Sequence, residues 1–161
     1  MPLKEIQNYN YKHSTDFDFE NLCELLAAEN YNLTVEKIQT LEVSALVLPF
    51  SEQSYTKSII VDNKQYWLGL LNWDKNATTC IHGHPDFAFV YLISGQLSCK
   101  IFDKNPLIAR QSTILNQGEY QYNKGIKGKM DNYIHQISAK EKSLSLHFYS
   151  DNPSKGEVFD F

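Results

Sequence analysis

The hydrophobic pattern of this chain changes character once. In residues 15–30, "TDFDFENLCELLAAEN", Phe19, Leu22, Cys23 and Leu26 fall at i, i+3, i+4 and i+7, behind Thr15, Asp16 and Asp18 as candidate N-caps. That spacing predicts an amphipathic helix. A second, shorter helix is predicted over Thr34 to Leu41, where Val35, Ile38 and Leu41 share a face. After Val43 the helical period disappears. Short runs rich in Ile, Val, Tyr, Phe and Leu alternate with the turn signals "VDNK", "SG", "NQG" and "NKG". Many short strands with close turns predict an all-β sandwich or barrel, with the helices packed on it.

Two of the strands carry polar side chains where a core would carry none. Side chains alternate along a strand, so in "TTCIHGHPDFAFVYLISG" (residues 78–95) Cys80, His82 and His84 face one way and Ile81 and Gly83 the other. In "SLSLHFYS" the residues Leu144, Leu146 and Phe148 take one face, and Ser145, His147 and Tyr149 take the other. A row of polar groups opposite a wholly apolar face predicts a wet cavity inside the barrel. One histidine on a strand is ordinarily a hydrogen-bonded structural residue. An H-x-H pair, with His135 further along in "NYIHQI", moves the reading towards a shared metal ion. His13, in a polar stretch ahead of the first helix, is expected at the surface.

Composition narrows the partners. The chain has 161 residues, a net charge of -4, a pI near 5.7 and a single arginine, Arg110. Such a surface does not suit nucleic acid or an anionic membrane. The N-terminus lacks the basic start and apolar stretch of a signal peptide, and no run is long and apolar enough to span a bilayer, so a cytoplasmic protein is expected. Cys23, Cys80 and Cys99 form no C-x-x-C pair and fit free thiols in a reducing compartment. No heptads or long apolar stripe call for assembly, and a monomer is expected.

With these residues in view the chain resembles the cupins, and within them the thiol dioxygenases of the cysteine dioxygenase type. The cupin pattern is a Gly, five residues, H-x-H, three or four residues, a Glu, six residues and a Gly. His82, His84 and Gly95 match it, while Asn76 stands for the first Gly and Ala88 for the Glu. Cysteine dioxygenases also lack that Glu. "YTKSII" (Tyr55 to Ile60) is similar to their Y-x-R-N segment, "YIHQIS" to the strand of their third ligand, "SLHFYS" to their S-L-H-x-Y-S signature, and "EVFDF" to the tail of some bacterial members. The resemblance covers residues 45–161.

It implies one cupin domain over residues 1–161, with a helical segment (1–45) packed on a double-stranded β-helix, or jelly-roll, barrel (46–161). It implies Fe(II) held by His82, His84 and His135. Ser145, His147 and Tyr149 would form a hydrogen-bonded relay, and Tyr55 and Lys57 would receive a substrate carboxylate. The implied reaction adds both atoms of O2 to the sulfur of a small thiol, L-cysteine first and 3-mercaptopropionate second. Two departures stand out. Lys57 replaces the family's carboxylate-binding arginine, a point charge for a two-pronged donor. The position that supplies a thioether-forming cysteine in animal members is Ala88 or Phe89, so no such link to Tyr149 can form.

The residues alone leave alternatives. Lys57 also fits a solvated strand lysine, Tyr149 a packed aromatic, and Cys80 either a small buried residue or an additional metal ligand. Trp67 and Trp73 read as core or rim aromatics, and Cys23 and Cys99 as small core residues. A metal cupin of another reaction class, using Zn(II), Ni(II) or Mn(II), and a non-enzymatic ligand-binding cupin remain as rival functions.

Overall fold

The computed structural model describes residues 8–11 and 16–159; His13 lies outside them. Helix α1 (Phe19–Ala27) starts where Asp18 accepts a hydrogen bond from the Asn21 N–H at 3.0 Å, and it buries Phe19, Leu22, Cys23 and Leu26. Helix α2 (Tyr31–Gln39) begins ahead of the Thr34 expected from the sequence and stops short of Leu41. The reason is a cap that the apolar spacing does not reveal. Asn30 accepts from the Leu33 N–H at 3.2 Å, and Thr34, already inside the helix, returns its hydroxyl to the Asn30 carbonyl at 2.7 Å. Glu29, at φ 56°, turns the chain between the two helices.

Among the described residues eleven strands follow the chain as β1 (Asn8–Asn10), β2 (Tyr55–Asp62), β3 (Trp67–Trp73), β4 (Ile81–His84), β5 (Phe87–Ser94), β6 (Gln96–Asp103), β7 (Ile108–Asn116), β8 (Tyr120–Lys124), β9 (Asn132–Ala139), β10 (Ser143–Tyr149) and β11 (Val158–Phe159). They form two sheets, ordered β1-β2-β3-β10-β5-β8 and β11-β4-β9-β6-β7. β10 sits between β3 and β5, and β9 between β4 and β6, so strands far apart in sequence are neighbours, as in a jelly roll. Strand β1 lies in the segment read as helical. It pairs in parallel with β2, Asn8 opposite Lys57, and its "NYN" has no alternation to give it away.

Alternation along the strands separates two apolar cores. Tyr55, Trp67, Trp73, Val90, Leu92, Ile137 and Tyr149 belong to one, on the barrel's inner side. Leu68, Leu70, Phe89, Leu146 and Phe148 belong to the other, with Leu22, Leu26 and Ile38 of the helices. The helices therefore cover the outer face of the six-stranded sheet. Full burial of a side chain such as Leu146 stabilises by about 1.5–3 kcal/mol.

Both ends of the histidine motif have backbone reasons. Gly95, at φ 91°, has Ser143 Oγ 2.2 Å from where a Cβ would stand. Asn76, at φ 69°, adopts the left-handed conformation that asparagine tolerates better than most residues, and so substitutes for the expected glycine. No helix among the described residues is long and apolar enough to cross a membrane.

Candidate metal centre

His82 and His84 come from β4, and His135 stands on β9 directly opposite His82. One ring nitrogen from each meets the others, all three lying within 4.8 Å of one another. Hydrogen bonding fixes which nitrogen that is in two of them. His82 Nδ1 donates to the Cys80 carbonyl at 2.9 Å, and His84 Nδ1 to the Tyr133 carbonyl at 2.9 Å. A carbonyl only accepts, so the proton is on Nδ1 and Nε2 keeps its lone pair. Nε2 of His84 and of His135 is buried with no hydrogen-bond partner. Two orphaned buried ring nitrogens beside a third imidazole are costly unless something binds them. A divalent first-row ion fits these residues.

The rings are in the protonation state such an ion needs. Burial holds His82 down to about 4, with the Lys57 charge pushing the same way against the Cys80 carbonyl bond. Burial, followed by the neighbouring histidines, holds His84 and His135 well below the ordinary histidine value. No carboxylate joins the cluster. The family's Glu position is Ala88, which is buried and pairs across the sheet with Tyr149. An ion bound by three neutral rings keeps its full charge and attracts anionic ligands.

The facing wall is β10. Ser145 Oγ lies 2.7 Å from His147 Nε2, and His147 Nδ1 lies 2.9 Å from Tyr149 Oη. The Trp73 indole N–H, from β3, donates to Ser145 Oγ at 2.8 Å. Burial, then the Lys57 charge, holds His147 down to about 3, and burial pushes the Tyr149 phenol far up, so both stay neutral. The Tyr149 ring stacks on His84 at 5.5 Å between centroids, which joins this chain to the histidine cluster.

Between the walls lies a cavity of about 40 Å³, lined by Tyr55, Lys57, Trp67, His82, His135 and Tyr149 among others. That is far below the ~300–1,000 Å³ of sites for drug-sized ligands. Lys57 faces this cavity, no Asp or Glu lines it, and burial lowers the lysine's basicity. Trp67 forms its wall by lying over Gly69, where a Cβ would meet the indole ring at 2.3 Å. Pro153 adds a further wall from the C-terminal segment, whose β11 pairs with β4, Val158 opposite His82.

Of the eight site residues named from the sequence, Tyr55, Lys57, His82, His135, His147 and Tyr149 line one cavity, while His84 joins through the histidine cluster and Ser145 through its bond to His147. Cys80 is the exception among the candidates. It acts electrostatically on Tyr55 and Lys57 but stands outside the ligand cluster. Three contributors went unread. Trp73 extends the relay, and Cys99 Sγ is the neighbour of His135 Nδ1 at 3.7 Å. Asn132 bonds the carbonyls of His84, Ile126 and Lys129 and the Ile126 N–H, tying the preceding turn to the ligand strands. All three depend on strand register, which the sequence does not print.

No family model matches the sequence, and no curated protein matches it. Solved structures do. A cupin superfamily protein of Desulfitobacterium hafniense shares 12% identity at a TM-score of 0.55, over 70% of this chain and 90% of that one. A conserved double-stranded β-helix protein of Klebsiella pneumoniae shares 15% identity at a TM-score of 0.55, over 75% and 96%. An RmlC-like cupin of Shewanella frigidimarina shares 10% at 0.53, over 71% and 92%. Identities this low speak to fold and leave activity to the site. This chain has the cupin fold, a double-stranded β-helix with a helix pair on its outer face and three histidines inside that could hold a metal ion.

Proposed function

We propose that this protein is an Fe(II)-dependent thiol dioxygenase that converts a small thiol acid to its sulfinate. The observation that carries the reading is the pairing of a carboxylate-free histidine cluster with the Ser145–His147–Tyr149 chain across a small cavity. A cupin that used its ion only to polarise a substrate would not need a buried phenol held by a relay. Bound by His82, His84 and His135, Fe(II) would supply a cation to which a thiolate and O2 can both be drawn.

The chain's own residues set what can bind and how. Lys57 is a half-buried cation with no acidic residue beside it in the cavity, so it favours a carboxylate. Tyr55 lies next to it in the same wall, its ring stacked on Trp73 at 4.6 Å. A charge-assisted contact of that kind is worth about 1.5–3 kcal/mol. Tyr149, kept protonated by burial, offers a hydrogen bond at the ligand position. Trp67, Pro153 and the cavity's size admit a ligand of only a few heavy atoms and exclude bulk water. The reaction balances without an outside reductant: a thiol and O2 give a sulfinate and a proton, sulfur being oxidised and both oxygens reduced.

The ammonium of Lys57 grips a carboxylate less directionally than a guanidinium does, so L-cysteine and 3-mercaptopropionate are both candidates. The test is oxygen uptake with sulfinate detection on the iron-loaded protein, offered L-cysteine, 3-mercaptopropionate and cysteamine in turn. Turnover of a thiol acid and neglect of cysteamine supports both the reaction and the role of Lys57. Absence of sulfinate from all three, at full iron occupancy, overturns the assignment.

A further inference from the structure

The relay has a fourth member, and its chemistry decides which way the protons point. A chain of serine, neutral imidazole and phenol can be polarised in two directions. In the first, the Ser145 hydroxyl donates to His147 Nε2, His147 Nδ1–H donates to Tyr149 Oη, and the phenolic proton is left for the cavity. In the second, Tyr149 donates to Nδ1, Nε2–H donates to Ser145, and the cavity meets only a phenol lone pair. The distances of 2.7 and 2.9 Å suit either.

Trp73 breaks the tie. An indole N–H donates and never accepts, and it donates to Ser145 Oγ at 2.8 Å. In the second direction Ser145 would accept twice and its own proton would need a third partner, yet its hydroxyl bonds only to Trp73 and His147 among the described residues, and Ser145 is fully buried. A buried donor without an acceptor is the most disfavoured outcome in such a network. The first direction pairs the Trp73, Ser145 and His147 protons and leaves only the Tyr149 O–H, which lies at the cavity where a ligand or water can accept it. Trp73 itself is fully buried, and Tyr55 stacks on its ring at an interplanar angle of 27°, so the indole has no freedom to swing away.

We infer that Trp73 is a positioning residue that fixes the hydrogen-bond direction of the Ser145–His147–Tyr149 chain, so that Tyr149 presents its O–H proton, and not a lone pair, to the ligand in the cavity. The use of that proton rests on the function proposed above; the direction itself does not. Tyr55 then has two tasks, since the ring that lines the ligand position also clamps the indole.

The test reads the tautomer of His147 directly. Protein labelled with 15N-histidine, metal-free or loaded with Zn(II) and without any thiol, is examined by NMR. The native chain is expected to hold His147 in a single tautomer, protonated at Nδ1 and bare at Nε2. Replacing Trp73 with benzothienylalanine keeps the ring's shape and removes its N–H, and W73F removes the donor with a smaller ring. Either is expected to convert the single tautomer to a mixture in which Nε2–H is populated. A native His147 protonated at Nε2 overturns the inference. So does an unchanged tautomer in the benzothienylalanine protein, which tests the role of Trp73 even if W73F does not fold. Neither result depends on dioxygenase activity, so failure of the proposed reaction leaves this measurement able to stand or fall alone.

Discussion

His84 and His147 lie on facing walls of one cavity, both buried and both held neutral, yet their surroundings are opposite. His84 has one nitrogen bonded to a backbone carbonyl and the other bare. His147 has both nitrogens bonded to side chains, Ser145 on one side and Tyr149 on the other. Burial alone therefore says little about what a histidine does. The satisfied ring belongs to a rigid polar network, and the ring with an orphaned nitrogen belongs to a site that something else completes. The two sheets of the barrel divide the work accordingly, one offering lone pairs and the other offering protons.

The sharpest way to break that division is to remove one ring from each wall. His135→Ala is expected to abolish stoichiometric metal binding, measured as metal content after dialysis, whereas His147→Ala is expected to retain it. If both lose the ion, the walls are not distinct. Next in size, Tyr149→Phe is expected to lower turnover by about 10²- to 10⁴-fold with metal content unchanged. A variant that kept native turnover would remove the phenol from the account.

A smaller effect is expected at Cys99. Its sulfur lies 3.7 Å from His135 Nδ1, a weaker hydrogen-bonding partner than the carbonyls that serve His82 and His84. Cys99→Ala is expected to weaken metal affinity by roughly 10- to 100-fold, with Cys99→Ser restoring part of it. Equal affinities in a metal titration would show that His135 needs no such support.

Acid should act on the metal-stripped protein through these rings. His147 stays neutral in the folded chain down to about 3, whereas an unfolded chain protonates its histidines below ~6.5. Protons in that window bind the unfolded state, so the contribution is complete above ~6.5 and is lost as pH falls towards the folded value, at ~1.4 kcal/mol per pH unit for this residue. Denaturant midpoints between pH 8 and pH 4 measure it. His147→Phe is expected to flatten the slope, and an unchanged slope would mean that His147 is not held neutral.

The sequence showed the outline of this site because its signals are local. The i, i+2 alternation placed His82 with His84, and Ser145 with His147 and Tyr149, and marked the opposite face of β10 as apolar; that the helix pair covers that face is visible only in the structure. What remained hidden depends on register between distant strands. Trp73 meets Ser145 only because β3 pairs with β10, and Cys99 meets His135 only because β6 pairs with β9. Strand β1 escaped for the opposite reason, since its three polar residues carry no hydrophobic period at all. Helix α2 began early because an asparagine cap outweighed the apolar spacing.

The central claim, that one wall holds iron and the other presents a proton to a thiol and its oxygen, is tested most directly by the fate of labelled O2. Iron-loaded protein, His147→Ala and His135→Ala would each be given a thiol acid under 18O2, with iron content and sulfinate mass measured in the same samples. The account expects both labelled atoms in the native product, full iron with little sulfinate from His147→Ala, and neither iron nor sulfinate from His135→Ala. Native protein at full iron occupancy that forms no labelled sulfinate would contradict it.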